Sequence, residues 1–437
     1  MAPPDHRRPF KRPTISDQQR RRELSLLRQA QHRLDAQHRA RCLASTVLSL
    51  EAPGPGPGPG PEPEPEPEPV PELELASESE HHVEEGGGGD SRSPSKEFDV
   101  RQASKLRGAE ARKWFARQLM LPEWMIDVPD RLPQDWYVFA RPAGKRCFVV
   151  SADGITVSRL RNGSVLHRFP SALPGGSRTR DVSGSAQSYS ILDCIFHELD
   201  QTYYVIDMLC WRGYSLYDCT AEFRFFWLNS KLVESGACDP PSQNHGYRFN
   251  AVPVYNCDEN GLHAAYTGAV TYIKDGLLFY NKQAHYQAGN TPLALVWKDE
   301  KCSQYVIDTD SNGNVPRLQQ VVLELQDDLK LITSDDPPVV FGSLDNDIVQ
   351  KSGLRSGYLL KFAISDGGLS FADGRLDRAD LQYLGKSNRA RAFADSYSKV
   401  IFQYSVRHSP LRIDDLLAAI SSRDDRENEH PDVEMVD

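Results

Sequence analysis

The sequence predicts an α+β fold built mainly from antiparallel sheet, preceded by a basic helix and a linker that cannot form a core. Three observations lead there. From residue 97 to 420, apolar and β-branched runs recur with turn dipeptides such as Asp153-Gly154 and Asn162-Gly163 between them. Helical periodicity is rare in the same stretch. Ahead of it, ten prolines from Pro53 to Pro71 alternate with Gly and then with Glu, a composition that buries nothing.

Residues 1–50 hold eleven Arg and Lys against four acids, a net of +7, whereas the whole chain of 437 residues carries −10. A basic arm on an acidic body suggests two separate binding tasks and argues against broad binding to nucleic-acid backbone by the body. Residues 17–44 contain no Pro or Gly, and Ser16 or Asp17 can cap a helix there. At 100° per residue Leu24, Leu27 and Leu34 form a narrow apolar stripe, flanked by Arg21, Arg28 and Arg39 on one side, with Arg22 and Arg33 on another. Such a helix suits an extended acidic partner, with leucine anchors and guanidinium forks for carboxylates. Composition alone slightly favours a generic basic arm for RNA or a membrane.

Residues 51–96 are a tether, loose in its Gly-Pro half and extended in its Glu-Pro half. Residues 97–300 form the main domain. A helix is expected over Lys105–Leu119. Strands are expected at Trp136–Ala140, Arg146–Val150, Tyr189–Phe196, Thr202–Cys210, Phe223–Leu228, Gly276–Tyr280 and Leu293–Trp297. Residues 301–420 read as a β-rich extension with strands at Val321–Leu325, Tyr358–Ile364 and Leu369–Leu376, a hairpin marked by Asp-Gly and Gly-Gly turns, and partial helix in Ser387–Gln403. Residues 421–437 are an acidic tail expected to be disordered.

Several classes fall away. Eight scattered cysteines contain no C-x-x-C pair, which fits a reduced compartment better than a disulfide scaffold or a zinc module. The start Met1-Ala2-Pro3-Pro4-Asp5 has no apolar h-region, and no apolar run is long enough to span a membrane. His81-His82 lies in the linker, and the Gly-rich segments lack the Lys-Ser/Thr of a phosphate-binding loop. Neither a metal nor a cofactor is expected.

Of six tryptophans, Trp136 begins an expected strand and Trp297 ends one. Indoles at strand ends can stack on a base, although ordinary packing accounts for most tryptophans. Three short stretches resemble the covalent nucleotidyltransferases, the mRNA guanylyltransferases and DNA ligases. They are Tyr189–Asp193, Lys274–Phe279 and Val296–Lys298, in the order that family uses. The family's nucleophile is a lysine in K-x-D-G. Here that place reads Arg141-Pro142-Ala143-Gly144, and Cys194-Ile195 stands where a glutamate follows the family's I-L-D strand. Arginine cannot lose its proton to attack a phosphate. The pattern is a nucleotide-binding pocket without its catalytic apparatus.

The stretches Gln118–Pro129, Leu173–Gly176, Ile191–Cys194, Gln201–Val205, Cys210–Gly213, Phe223–Trp227, Asp275–Tyr280 and Thr291–Leu293 resemble the snurportins, import adaptors for spliceosomal small nuclear ribonucleoproteins. The basic segment Arg20–Leu43 resembles the same family's importin-β-binding segment. Residues from 301 on lie outside the part that aligns, as in a plant-like member with a long C-terminus.

The resemblance implies a guanylyltransferase-like nucleotide-binding fold without enzymatic activity. It implies binding of the 2,2,7-trimethylguanosine cap of small nuclear RNA and its ribonucleoprotein core, with shuttling between cytoplasm and nucleus. It implies cap contacts from Trp297 as stacking platform, Trp136 against the extra methyls, Gln134, His167, Arg168 and Phe169, with Gln187 where the family has a phosphate-side lysine. Arg178 or Arg180 lies in the adjacent loop. For importin β it implies Arg20, Arg21, Arg22, Leu24, Leu27, Arg28, Arg33, Leu34, Arg39 and Arg41. It also implies an exportin, through an apolar N-terminal segment; here residues 1–15 are proline-rich and basic, with Phe10 and Ile15 the only large apolar side chains. The readings that compete with the adaptor are an active guanylyltransferase-like enzyme and a generic RNA-binding protein with a basic arm.

Overall fold

Two strands that are buried on both faces set the architecture. β6 (Ser190–His197) and β7 (Thr202–Trp211) are buried at every position, the pattern of strands at the centre of a sheet covered on both sides. They lie at the middle of a seven-stranded sheet of order β5-β4-β3-β6-β7-β8, with β9 beside β7. Its other strands are β3 (Lys145–Ala152), β4 (Ile155–Leu160), β5 (Val165–Phe169), β8 (Tyr214–Ser215) and β9 (Arg248–Ala251). This computed structural model describes residues 18–31, 108–177, 189–310, 312–372, 375–388 and 391–427. The tether over 51–96 and the expected helix beyond residue 31 lie outside the described residues.

A second sheet has the order β1-β12-β11-β2-β10. It comprises β1 (Met120–Trp124), β2 (Trp136–Pro142), β10 (Tyr255–Asn256), β11 (Lys274–Asn281) and β12 (Gly289–Trp297). Only β1 against β12 is parallel in it. A third, wholly antiparallel sheet runs β15-β14-β13-β16-β17. It holds β13 (Gln320–Leu325), β14 (Lys330–Ile332), β15 (Val340–Ser343), β16 (Leu359–Ala372) and β17 (Arg375–Lys386). The Asp366-Gly367-Gly368 group lies within β16 at an irregularity between Ile364 and Leu369, and the two strands close with Ala372 opposite Arg375. The expected Leu369–Leu376 strand is thus the end of one strand and the start of the next.

Helices number eight among the described residues, and four matter for the site: α1 (18–31), α4 (Ala221–Ser235), α7 (Tyr397–His408) and α8 (Ile413–Glu427). The others are α2 (Gly108–Phe115), α3 (Leu132–Asp135), α5 (Glu259–Tyr266) and α6 (Asn346–Ser352). Of the expected helix over Lys105–Leu119, α2 covers 108–115; residues 116–119 are not helical, and 105–107 lie outside the described residues.

The expected strand at Phe223–Leu228 is instead part of α4. Thr220 caps it, its hydroxyl accepting from the Phe223 N–H, and Gly236 ends it at φ 68°. Ala221, Arg224, Phe225, Leu228 and Leu232 are buried, a three-to-four spacing that presents one face to the sheet. Phe226 points outward at 70% exposure. The aromatic run therefore straddles both faces of a helix.

Buried ion pairs pin these layers. Arg224 of α4 holds Asp207 of β7 through Nε–Oδ1 at 2.8 Å and Nη2–Oδ2 at 2.9 Å, both side chains fully buried. Arg146 of β3 holds Asp193 of β6 at 3.0 and 2.7 Å, and Tyr286 donates to the same carboxylate at 2.7 Å. Breaking one such pair from one side leaves a buried charge and costs about 3–5 kcal/mol.

Residues beyond 300 do not form a separate domain. The described residues from 108 on group into one compact unit together with residues 18–29. Phe402, Leu416 and Ile420 share a core with Trp136, Val138, Leu277, Phe279, Leu295 and Trp297. A sequence boundary at 300 therefore cuts through that core. The acidic tail likewise starts later than expected, because α8 continues to Glu427.

Helix α1 packs on the same unit. Gln18 donates to Glu123 at 2.9 Å and to the Trp124 carbonyl at 3.0 Å, and Arg21 pairs with Glu123 through both Nη atoms. Gln29 accepts from the His285 N–H at 2.9 Å. Arg22, only 3% exposed, lies 5.7 Å over the Trp136 ring, and burial lowers its pKa to about 10. Leu24 and Leu27 face outward at 41% and 65%.

Candidate nucleotide-binding cleft

Strand alternation decides which side chains reach the cleft. On β12, Leu295 and Trp297 enter the core while Val296, between them, lines a cleft of about 590 Å³. β2 brings Arg141 to this cleft, β3 brings Lys145 and Arg146, and Arg161 and Lys298 follow the ends of β4 and β12. Trp124, Phe393, Arg391 and Lys399 complete its main lining.

Asp275 of β11 is the hub of this cleft. Its two oxygens pair with Arg141 and Lys298, and Ser303 donates to it at 2.7 Å. Burial alone would raise this carboxyl, but the two cations hold it below the usual carboxylate range. Burial moves Arg141 and Lys298 the other way, below their ordinary values, with Asp275 opposing. Lys298 also lies 5.8 Å over the Trp124 ring. Lys145 pairs with Glu198 at 2.6 Å. Arg146 is held charged by Asp193 against the cost of burial, and its second bond, to the Met120 carbonyl at 2.6 Å, ties β1 to the site. An array of guanidinium and ammonium groups beside aromatic faces is suited to phosphate and base.

Arg141, at the position where the sequence resemblance puts a lysine nucleophile, is engaged by Asp275 and cannot be deprotonated to attack. Among the described residues no His, Cys, Asp and Glu group is arranged to hold a metal ion, and no helix is long and apolar enough to cross a membrane.

The residues expected to contact a cap are scattered. Trp136 and Trp297 share a core, but at 1% and 0% exposure neither offers an open face. On β11 their partners are Asn281 and Leu277, four residues apart, so the indoles are offset by roughly 13 Å along the strand. Trp297 as an open stacking platform is thus corrected: α8 and the Leu411 region cover it. Gln134 is half-buried, and its Oε1 has no hydrogen-bond partner among the described residues.

His167 and Phe169 belong to β5 and pack in the other core, against Tyr203 and Tyr247. Burial, with Lys145 adding to it, lowers the His167 pKa. Arg168 is exposed on the same strand. Gln187, Arg178 and Arg180 lie outside the described residues, as do Arg33, Leu34, Arg39 and Arg41. Sequence reasoning missed the phosphate-binding potential of Arg141, Arg146, Arg161 and Lys298. In the sequence Arg141 reads only as a failed nucleophile, although Asp275, its partner, and Lys298, which shares that partner, stand in the stretches Lys274–Phe279 and Val296–Lys298.

Residues 118–298 match the family described as Snurportin1, m3G cap-binding domain. That stretch belongs to the snurportin cap-binding family. The matched residues span β1 to Lys298 and include Arg141, Lys145, Arg146, Arg161 and Lys298 of the cleft, together with Asp275, which pairs with two of them. Solved structures with partial likeness include the ATP-dependent DNA ligase from bacteriophage T7 in complex with ATP. It is 9% identical, covering 62% of this chain and 99% of that one at a TM-score of 0.31. The Chlorella virus DNA ligase-adenylate is 11% identical over 62% and 99%, at 0.28. The ligase domain of M. tuberculosis LigD is 11% identical over 62% and 93%, at 0.29. Scores this low decide nothing about activity.

Proposed function

We propose that this chain is a nuclear import adaptor. It binds the 2,2,7-trimethylguanosine cap of spliceosomal small nuclear RNA and links the ribonucleoprotein to importin β through residues 1–50, shuttling between cytoplasm and nucleus. The observation that carries the cap reading is the basic wall that the matched stretch gives the cleft, where Asp275 clamps Arg141 and Lys298. The cap's triphosphate fits that array, and its methylated, positively charged base suits the aromatic face of Trp124. Of the residues expected from sequence, Gln134 remains a candidate contact through its unpaired oxygen. Trp136 and Trp297 would need α1 and the Leu411–Ile420 segment to move first.

Support for the importin reading comes from α1. Its outward face keeps Arg20, Leu24, Leu27 and Arg28 open to solvent, which leaves leucine anchors and guanidinium forks for the acidic concave surface of a helical-repeat partner. The test is a pull-down on trimethylated, monomethylated and unmethylated cap resins, with importin β added separately. Preferential retention on the trimethylated resin is expected. Replacing Arg20, Leu24, Leu27 and Arg28 should abolish importin-β capture and leave cap capture intact. Equal retention on all three resins would sink the cap reading.

A further inference from the structure

The cleft has two walls of different origin. One comes from the matched stretch: Arg141, Lys145, Arg146, Arg161 and Lys298. The other is residues 391–399, far beyond the end of that match, with Arg391, Phe393, Ser396 and Lys399 facing the opening.

This second wall is anchored rather than draped. The Asp395 backbone exchanges a bond with Val322 of β13, N to O at 2.8 Å, and the Asp395 side chain accepts from the Val322 N–H at 2.8 Å. The same carboxylate holds Arg391 at 2.5 Å and Lys399 at 3.0 Å, and Arg391 Nε donates to the Phe393 carbonyl at 2.9 Å. The third sheet therefore fixes the position of this wall.

Charge across the cleft does not balance. Seven cationic side chains line it: Arg141, Lys145, Arg146, Arg161, Lys298, Arg391 and Lys399. Five carboxylates pair with them: Asp193, Glu198, Asp275, Asp308 and Asp395. Arg161 makes no ion pair among the described residues, and its guanidinium lies 5.8 Å over the Phe393 ring. A cation of one wall thus meets an aromatic face of the other at the mouth. Positive surplus beside an aromatic ring is the arrangement that tracks a nucleic-acid strand.

We propose that residues 391–399 are the second wall of the RNA site, with Arg391 and Arg161 gripping the phosphates that follow the cap and Phe393 stacking on a base. This rests on the cap reading for the position of the cap itself. It adds a strand-binding surface supplied from outside the cap-binding stretch.

The test uses the full chain with Arg391→Gln, Phe393→Ala and Arg161→Gln. The probes are a trimethylated cap dinucleotide, a trimethyl-capped oligonucleotide, and the same oligonucleotide with a 5′-triphosphate and no cap. Each variant should weaken the capped oligonucleotide about five- to a hundred-fold, the scale of one charged hydrogen bond or one stacked base, and weaken the dinucleotide less. The two arginine variants should also flatten the salt dependence by about 0.7 in log–log slope per lost phosphate contact. Melting curves keep Arg391→Gln honest, since it removes a partner of Asp395. Arg161→Gln breaks no described ion pair. If all three stay folded and bind both oligonucleotides like the parent, the proposal is overturned. If the parent ignores the cap but the variants still weaken the triphosphate oligonucleotide, the cap reading falls and this wall stands.

Discussion

The indole N–H of Trp297 donates to the backbone carbonyl of Leu411 at 3.0 Å. The segment that buries this ring also binds its only polar atom. Trp297→Ala should therefore act on stability, costing about 3–5 kcal/mol, and should loosen residues 411–420. Thermal melts and hydrogen exchange check it. Well below the melting temperature, cap affinity should stay within a few-fold of the parent. A variant that melts normally and loses cap binding would restore Trp297 as a stacking platform.

Asp275→Asn tests the cleft hub. With its pKa held below the unfolded value of 3.8, the carboxylate stabilises the fold above pH 3.8, and that contribution disappears as pH falls through the lower folded value. The variant should be less stable at pH 7, by about 1–3 kcal/mol for a partly exposed charged hub, and the gap to the parent should narrow as pH falls below 3.8. Denaturant titrations across that range measure it. A constant difference at every pH would mean the loss is packing rather than charge.

Incubation with labelled GTP addresses the enzyme alternative. Arg141 in the nucleophile's place leads to no covalent guanylate, whatever divalent ion is added. Label on Lys145 or Lys298 after denaturing electrophoresis would revive the guanylyltransferase reading.

Glu123→Gln should free α1, because that carboxylate receives both Gln18 and Arg21. Half-exposed Arg21 limits the effect to about 1–2 kcal/mol. Limited proteolysis should cut the arm roughly ten-fold faster with little change in the melting of the rest. Unchanged cleavage would show that Gln29 and Arg22 hold the helix without Glu123.

Much of the sheet structure was legible because its signals are local. Thr202–Cys210 and Gly276–Tyr280 are strands whose apolar runs carry their own evidence, and β11 and β7 contain them. Phe223–Leu228 misled because a run of aromatics suits either period, and the deciding marks, the Thr220 cap and the spacing of Arg224, Leu228 and Leu232, sit at its margins. The boundary at 300 failed for another reason. Phe402, Leu416 and Ile420 reach the Trp297 core from more than a hundred residues away, and nothing in either segment announces the other. The cleft was half legible: Arg141, Asp275 and Lys298 were each noticed, but their convergence depends on β2, β11 and the end of β12 lying side by side.

Helix α1 commits one face, Gln18, Arg22 and Gln29, to its own domain and leaves the other open. A partner satisfied with the open face meets no competitor. A partner that encloses the whole helix must first dislodge it, and its apparent affinity drops by the fraction of molecules in which the helix is already free. Enclosure would also strip Arg22 from Trp136, so a ligand that needs the uncovered ring and a partner that needs the whole arm would each tighten the other's binding by the same factor. In that case cargo loading and carrier capture are a single equilibrium observed from two ends.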